Sequence, residues 1–162
     1  MTDSSSTDAI KRDALRRLGR RAMSRAKLRD ALLKRWKNEI AVDEVVEELE
    51  SARMIDDRAF AQEAIRQELA KSSIARPALT RRLIILGVDE RLAEEEADRA
   101  LAGRDARSDA QELARKHLRR LSANLPAEAR ARRVAGVLAR RGFDADIIHD
   151  IVAELIKTSE SD

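Results

Sequence analysis

The stretch Leu83-x-x-x-Gly87-Val88-Asp89-x-x-Leu92 recurs as Leu138-x-x-x-Gly142-Phe143-Asp144-x-x-Ile147, displaced by 55 residues at every matched position. Each copy reads as the end of one helix and the start of the next. A leucine sits on the last turn, and a glycine follows that can take the left-handed conformation ending a helix. An apolar residue then folds back on the leucine, and an aspartate caps the next helix. The predicted contacts are Leu83 with Val88 and Leu138 with Phe143. A degenerate copy, Val42-Asp43-x-x-Val46, lies 46 residues before the Val88 copy, with Trp36 where the glycine would fall and a longer loop over 37–41. A unit of roughly fifty residues cannot bury its apolar stripes alone. The expected fold is therefore all-α: three tandem three-helix repeats stacked into an elongated, curved helical array, with its concave face as the binding surface.

Hydrophobic periodicity agrees along the chain. A first helix is expected over 8–21, with Ile10, Ala14, Leu15 and Leu18 inward. A second starts from a Ser24 cap and carries Leu28, Ala31, Leu32 and Trp36 on one side. A third follows Asp43, with Val45, Val46, Leu49 and Ala52 inward. Next come a helix from the Asp56 cap to Lys71, one over 75–86 with Pro77 tolerated in its first turn, and one from Asp89 to Ala102. A long basic helix over 105–123 has Ala110, Leu113, Ala114, Leu118 and Leu121 as its stripe. Leu125-Pro126 marks the start of the next, whose stretch from Arg130 to Arg141 ends at Gly142. Asp144 caps the last, whose apolar face is Ile147, Ile148, Ile151, Val152 and Leu155. The grouping is a disordered tail over 1–8, repeats over 9–54, 55–103 and 104–157, and a disordered tail over 158–162.

The core palette suits helices. Aromatics make up 2% of the chain, so Leu, Ile, Val and Ala must fill its interior, with Trp36, Phe60 and Phe143 as the only rings. The chain has no cysteine, which excludes disulfides and thiolate metal sites and suits a reducing compartment. Residues 1–8 lack the apolar segment of a signal peptide, and no run of eighteen apolar residues occurs. These features predict a cytoplasmic protein, neither secreted nor membrane-spanning.

The net charge of +3 conceals a block pattern. Residues 1–37 carry +8, 38–102 carry −7, 103–141 carry +7 and 142–162 carry −5. Alternating zones suit a partner with both signs of charge, such as a protein on nucleic acid, better than a uniformly basic DNA coat. The basic stretches are Arg16, Arg17, Arg20, Arg21 and Arg25; Arg115, Lys116, Arg119 and Arg120; and Arg132, Arg133, Arg140 and Arg141. They can neutralise phosphates and give salt-sensitive affinity without sequence preference. With so few rings, base stacking contributes little.

Catalytic constellations are missing from the sequence. His117 and His149 are solitary and fit surface or helix-packing roles, with no Cys, Asp or Glu at a metal-ligand spacing. No Gly-rich phosphate loop or nucleophile elbow occurs. Glu47-Glu48 and Glu94-Glu95-Glu96 lie on helices, where neighbouring side chains diverge, and are expected to be solvated. No cofactor, metal or enzymatic activity is expected. Asp56-Asp57 is the one carboxylate pair that could hold a divalent metal for nuclease chemistry. The same stretch, Ile55-Asp56-Asp57-Arg58-Ala59-Phe60, equally reads as a helix start: Asp56 the cap, Asp57 facing the helix dipole, Ile55 packing on Phe60 as a hydrophobic staple.

Leu49-x-x-x-x-Met54-Ile55-Asp56-Asp57-Arg58-Ala59-Phe60-Ala61 resembles the leucine, Ile-Asp-Asp, Phe-Ala signature of the bacterial RecX family. Ser24-x-x-Lys27-Leu28-x-x-x-Leu32 is similar to that family's first-repeat opening. Leu138-Ala139-Arg140-Arg141-Gly142-Phe143 is similar to its C-terminal Arg-Arg-Gly-Phe motif. The likeness runs from about residue 10 to 156. It departs at Met54 and Trp36, where Gly or Tyr is usual, and at Ser72-Ser73-Ile74-Ala75, which lacks a glycine before the helix.

The resemblance implies a non-enzymatic regulator of the RecA recombinase. Such proteins lodge in the groove of the RecA filament on single-stranded DNA and mostly inhibit its ATPase, strand-exchange and co-protease activities, and so regulate DNA repair, homologous recombination and the SOS response. Some also bind DNA, which extends the expected partners to single- or double-stranded DNA contacted through phosphates. A monomer is expected. The partner-binding candidates are Arg20, Arg21, Arg25, Arg133, Arg140 and Arg141; the structural signature is Ile55, Asp56, Asp57, Phe60, Gly87, Gly142 and Phe143. The alternative reading is a stand-alone basic helical DNA-binding protein that needs no recombinase.

Overall fold

The computed structural model describes residues 4–122 and 124–160. Nine α-helices and no strand occur among them: α1 Ser4–Arg20, α2 Arg25–Trp36, α3 Glu39–Ser51, α4 Asp57–Lys71, α5 Arg76–Ile85, α6 Glu90–Leu101, α7 Ala106–Leu118, α8 Ala127–Arg140 and α9 Ala145–Glu160. They form three sets of three. The middle helices α2, α5 and α8 begin at residues 25, 76 and 127, two equal steps of 51. The longer offset of 55 at their ends arises because α8 has 14 residues and α5 has 10, about one extra turn.

Local capping chemistry sets most helix starts. Lys27 N donates to Ser24 Oγ at 3.4 Å, Ala59 N to Asp56 Oδ1 at 2.9 Å, Leu92 N to Asp89 Oδ1 at 3.3 Å and Ser108 N to Asp105 Oδ2 at 2.9 Å. Asp56→Ala is expected to cost about 0.5–2 kcal/mol, read as a lowered urea midpoint. The glycine junctions close as doubly bonded helix ends. Val88 N donates to Leu83 O at 3.1 Å with Gly87 N on Ile84 O, and Phe143 N donates to Leu138 O at 3.2 Å with Gly142 N on Ala139 O. All four apolar partners are buried.

The first repeat differs from its expected layout. Helix α2 ends at Trp36, and Lys37 (φ 51°), not Trp36, takes the left-handed position; Asn38 then caps α3 by accepting from Ala41 N at 3.2 Å. Asp43 therefore lies one turn inside α3, where it holds Arg29, and the joint is two residues long. The apolar face of α3 starts at Ala41 and Val42, both fully buried, which favours the earlier start. Ala52 is exposed because the chain turns at Arg53 (φ 55°). Trp36 faces inward, its indole N–H donating to Asp13 Oδ2 at 3.1 Å.

Two other ends move. Helix α1 begins at Ser4, inside the segment expected as a tail, since extending an established helix by a turn needs no new nucleus. Helix α9 likewise continues to Glu160. Residues 1–3 and 161–162 of the expected tails lie outside the described residues. Helix α7 stops at Leu118 rather than 123, and Arg120 and Leu121 form tightened turn bonds to His117 O and Leu118 O. No residue from Arg115 to Ser122 is buried, so packing does not support another turn. Ala123 lies outside the described residues.

The chain divides into two compact units, Met1–Ala64 with Arg82–Glu96, and Ile65–Arg81 with Ala97–Asp162. Each of α4, α5 and α6 is thus shared between them. In the first unit α1, α2 and α3 enclose Ile10, Leu28, Leu32, Val42, Val45, Val46 and Leu49, with Ile55 closing the cluster. In the second, α7, α8 and α9 enclose Ala110, Leu113, Val134, Leu138, Phe143 and Ile151.

Candidate functional site

The Ile-Asp-Asp stretch is a joint between helices. Ile55 is 3% exposed and Asp56 caps its own helix α4, as expected. Asp57 does something local reading could not show: its Oδ1 accepts from Arg25 N at 2.7 Å, so the first residue of α4 caps α2. Burial pushes the Asp57 carboxyl above its ordinary range, partly offset by that backbone hydrogen bond. The two carboxylates thus serve different helices. Phe60 is half-buried and lines a groove described below, whereas Ile55 lies in the core.

The same kind of joint recurs at both glycine junctions. Ser24, fully buried, donates Oγ–H to Leu86 O at 2.7 Å, so the end of α5 sits on the start of α2. A Cβ on Gly87 (φ 89°) would lie 2.4 Å from Ser24 Oγ and 2.9 Å from Lys27 Cγ. In the second unit Gly142 (φ 80°) meets the start of α5: a Cβ there would lie 2.6 Å from Ala78 Cβ and 3.0 Å from Ala78 N. Ala75 N donates to Arg141 O at 2.9 Å.

Arg141 completes that second joint. Its guanidinium donates from Nη1 to Glu68 Oε1 at 2.6 Å, from Nη2 to Ser72 O at 2.7 Å and from Nε to Ser73 O at 2.8 Å. The side chain is 20% exposed and three of its five N–H donors are engaged inside the protein, which sets it apart from the freely offered cations. The Arg141 hydrogen bond holds the Glu68 carboxyl below its ordinary range, against the opposing effect of burial. A depressed folded pKa gives stability that is present above the unfolded value and lost as pH falls through the folded one. Stability is therefore expected to drop as pH falls below about 4.3, and Glu68→Gln to flatten that part of the profile, measured by urea midpoints at a series of acidic pH values.

The other candidates divide by environment. Arg25 is paired through Nε with Glu50 at 3.0 Å. Arg20, Arg21, Arg133 and Arg140 are exposed, and no ion pair engages them among the described residues. Sequence reasoning missed two features. The run Glu94-Glu95-Glu96 is solvated only in part: Glu96 is 1% exposed, bonded to Arg58 Nη1 and to Gln62 Nε2 at 3.0 Å, because it shares the inner face of α6 with Ala93 and Ala97. The second is an open groove of roughly 590 Å³ in the first unit, walled by Arg17, Arg21, Lys27, Lys34 and Arg35 over a floor including Met23, Phe60 and Leu86. The spacings Arg17/Arg21 and Lys27/Lys34 were its sequence signal; the floor, drawn from three separate segments, had none.

A buried carboxylate orders one wall of this groove. Asp13 is 2% exposed and lies within 3.3 Å of Arg17 Nε and 3.8 Å of Arg35 Nε. Burial acts to raise its pKa, but the Trp36 hydrogen bond and the charges of Arg17, Arg16 and Arg35 prevail and lower it. No group of three His, Cys, Asp or Glu side chains is placed to hold a metal ion among the described residues. His117 is half-buried and His149 exposed. No described helix is long and apolar enough to cross a membrane.

Fold and joints together define a helical-repeat protein in which the glycine-closed end of one middle helix rests on the start of the middle helix before it. Residues 106–152 match the family model of the RecX third three-helix domain. Proteins called regulatory protein RecX are similar over most of their length. That of Thermobifida fusca is 34% identical over 131 residues, covering 80% of this chain and 69% of the relative. That of Mycolicibacterium vanbaalenii is 37% identical over 144 residues, covering 83% and 76%. The crystal structure of RecX from Lactobacillus salivarius superposes with a TM-score of 0.72 at 22% identity, covering 94% of this chain and 98% of that one. A second crystal structure, of a regulatory protein RecX, gives 0.71 at 21% identity. The chain belongs to the RecX family of regulatory proteins.

Proposed function

We propose that this protein acts by binding, without catalysis of its own: it binds the RecA recombinase and its filament on single-stranded DNA, and lowers ATPase, strand-exchange and co-protease activity. The observation that carries this reading is membership of a family named for regulation, together with the family signature at Ile55-Asp56-Asp57. The structure adds support in kind. A scaffold of small helical units offers a large surface per residue, and Arg20, Arg21, Arg133 and Arg140 stand exposed, with no ion pair among the described residues. Their guanidinium groups suit phosphates and carboxylates alike. Arg141 is held within its joint, and the Arg25 side chain is drawn into a surface pair with Glu50. The protein works in the cytoplasm as a monomer.

The test is the ATPase rate of a cognate RecA on single-stranded DNA. Stoichiometric addition of the protein is expected to depress that rate, and Arg20→Glu/Arg21→Glu to weaken the effect. An unchanged rate at large excess overturns the reading. The exposed arginines also favour a second reading, direct binding to DNA phosphates without a recombinase. It predicts affinity for DNA alone that falls steeply with salt.

A further inference from the structure

We propose that the groove of the first unit is a docking site for an acidic peptide segment carrying a large apolar anchor, presented by a protein partner. The proposal rests on the RecA-regulator reading and narrows it to one surface and one chemistry.

Charge and floor argue together. Arg21, Lys27 and Lys34 line the groove, are exposed, and engage no ion pair among the described residues. Arg17 and Arg35 are held beside them by the buried Asp13, so their side chains are already partly ordered before a ligand arrives. Below lie Met23, Phe60 and Leu86, an apolar floor including an adaptable thioether. The volume, roughly 590 Å³, falls within the range of built ligand sites.

A nucleic-acid strand uses only half of this. Strands are bound by cations along the backbone with aromatic platforms for successive bases, and here one ring stands beside Met and Leu. Asp30 also lines the groove. A carboxylate there repels a continuous row of phosphates but can accept a free backbone N–H from the first turn of a bound helix. An acidic segment with one buried Leu or Phe satisfies floor, cations and Asp30 at once, in the manner of a charged amphipathic helix in a groove.

The test is fluorescence anisotropy with the full-length protein at low salt. The probe is a labelled twelve-residue peptide of Glu and Asp around a central Leu-x-x-Phe. Saturable binding is expected. Arg21→Glu/Lys34→Glu, checked for unchanged helical content, is expected to weaken binding about ten-fold or more. Arg82→Glu/Arg91→Glu, with the same net charge change on exposed residues outside the groove, is expected to change it little. Equal loss in both double variants, no peptide binding, or a preference for oligo-dT that the groove variant abolishes would each overturn the proposal. The RecA ATPase assay on the same variants separates the two readings. Inhibition that survives groove reversal sinks the docking site and leaves the regulator standing; peptide binding without any inhibition does the reverse.

Discussion

Arg141→Ala is expected to destabilise the protein by about 3–5 kcal/mol, the range for removing one partner of a mostly buried ion pair. The guanidinium satisfies three acceptors at once, Glu68 Oε1, Ser72 O and Ser73 O. Glu68 and Arg141 side chains are 12% and 20% exposed, so water screens the pair little. Deleting the arginine leaves Glu68 with the longer Lys71 contact at 3.4 Å, leaves Ser73 O with the Ser72 hydroxyl at 3.3 Å, and takes from Ser72 O the bond it accepts from Arg141. Lysine retains the charge but cannot fork, and Arg141→Lys is expected to recover less than half of the loss. The measurement is urea unfolding, with the midpoint shifted and the slope unchanged. Arg140→Ala, one residue earlier and exposed, is expected to leave the midpoint within about 0.5 kcal/mol. Equal effects at both positions would return Arg141 to the offered binding surface.

Gly142→Ala is expected to cost about 2–4 kcal/mol. Two independent penalties add. The backbone at φ 80° is one that side chains rarely adopt, worth about 1–3 kcal/mol. The new methyl would sit 2.6 Å from Ala78 Cβ and 3.0 Å from its backbone nitrogen, and backbone cannot move aside as a flexible side chain can. Gly142→Ala/Ala78→Gly, compared with Ala78→Gly alone, isolates the methyl–methyl part, because removing the Ala78 methyl leaves both the backbone conformation and the approach to Ala78 N in place. Partial recovery is expected. Full recovery would mean that neither the backbone conformation nor the approach to Ala78 N carries a cost.

Helix ends were legible because their causes are local. Ser24, Asp56, Asp89 and Asp105 cap through bonds to nitrogens three residues on. Where two local signals compete, the sequence is ambiguous. Asn38 and Asp43 can each begin a helix, and the burial of Ala41 and Val42 decided for Asn38. The candidate binding residues were less legible, since a run of arginines reads alike whether it meets solvent or a loop.

The sequence by itself determined the repeat, the all-α class, the left-handed glycines and the family, because each depends on spacing along the chain. Tertiary structure alone decided that Asp57, in the first turn of α4, also accepts from the start of α2, and that Glu96 is buried while Glu95 is not. It also separated Arg140, which faces water, from Arg141, which is locked at a joint. The physical reason is the helix itself. A step of one residue turns a side chain by about 100°, so adjacent identical residues meet different surroundings, and those surroundings come from segments tens of residues away.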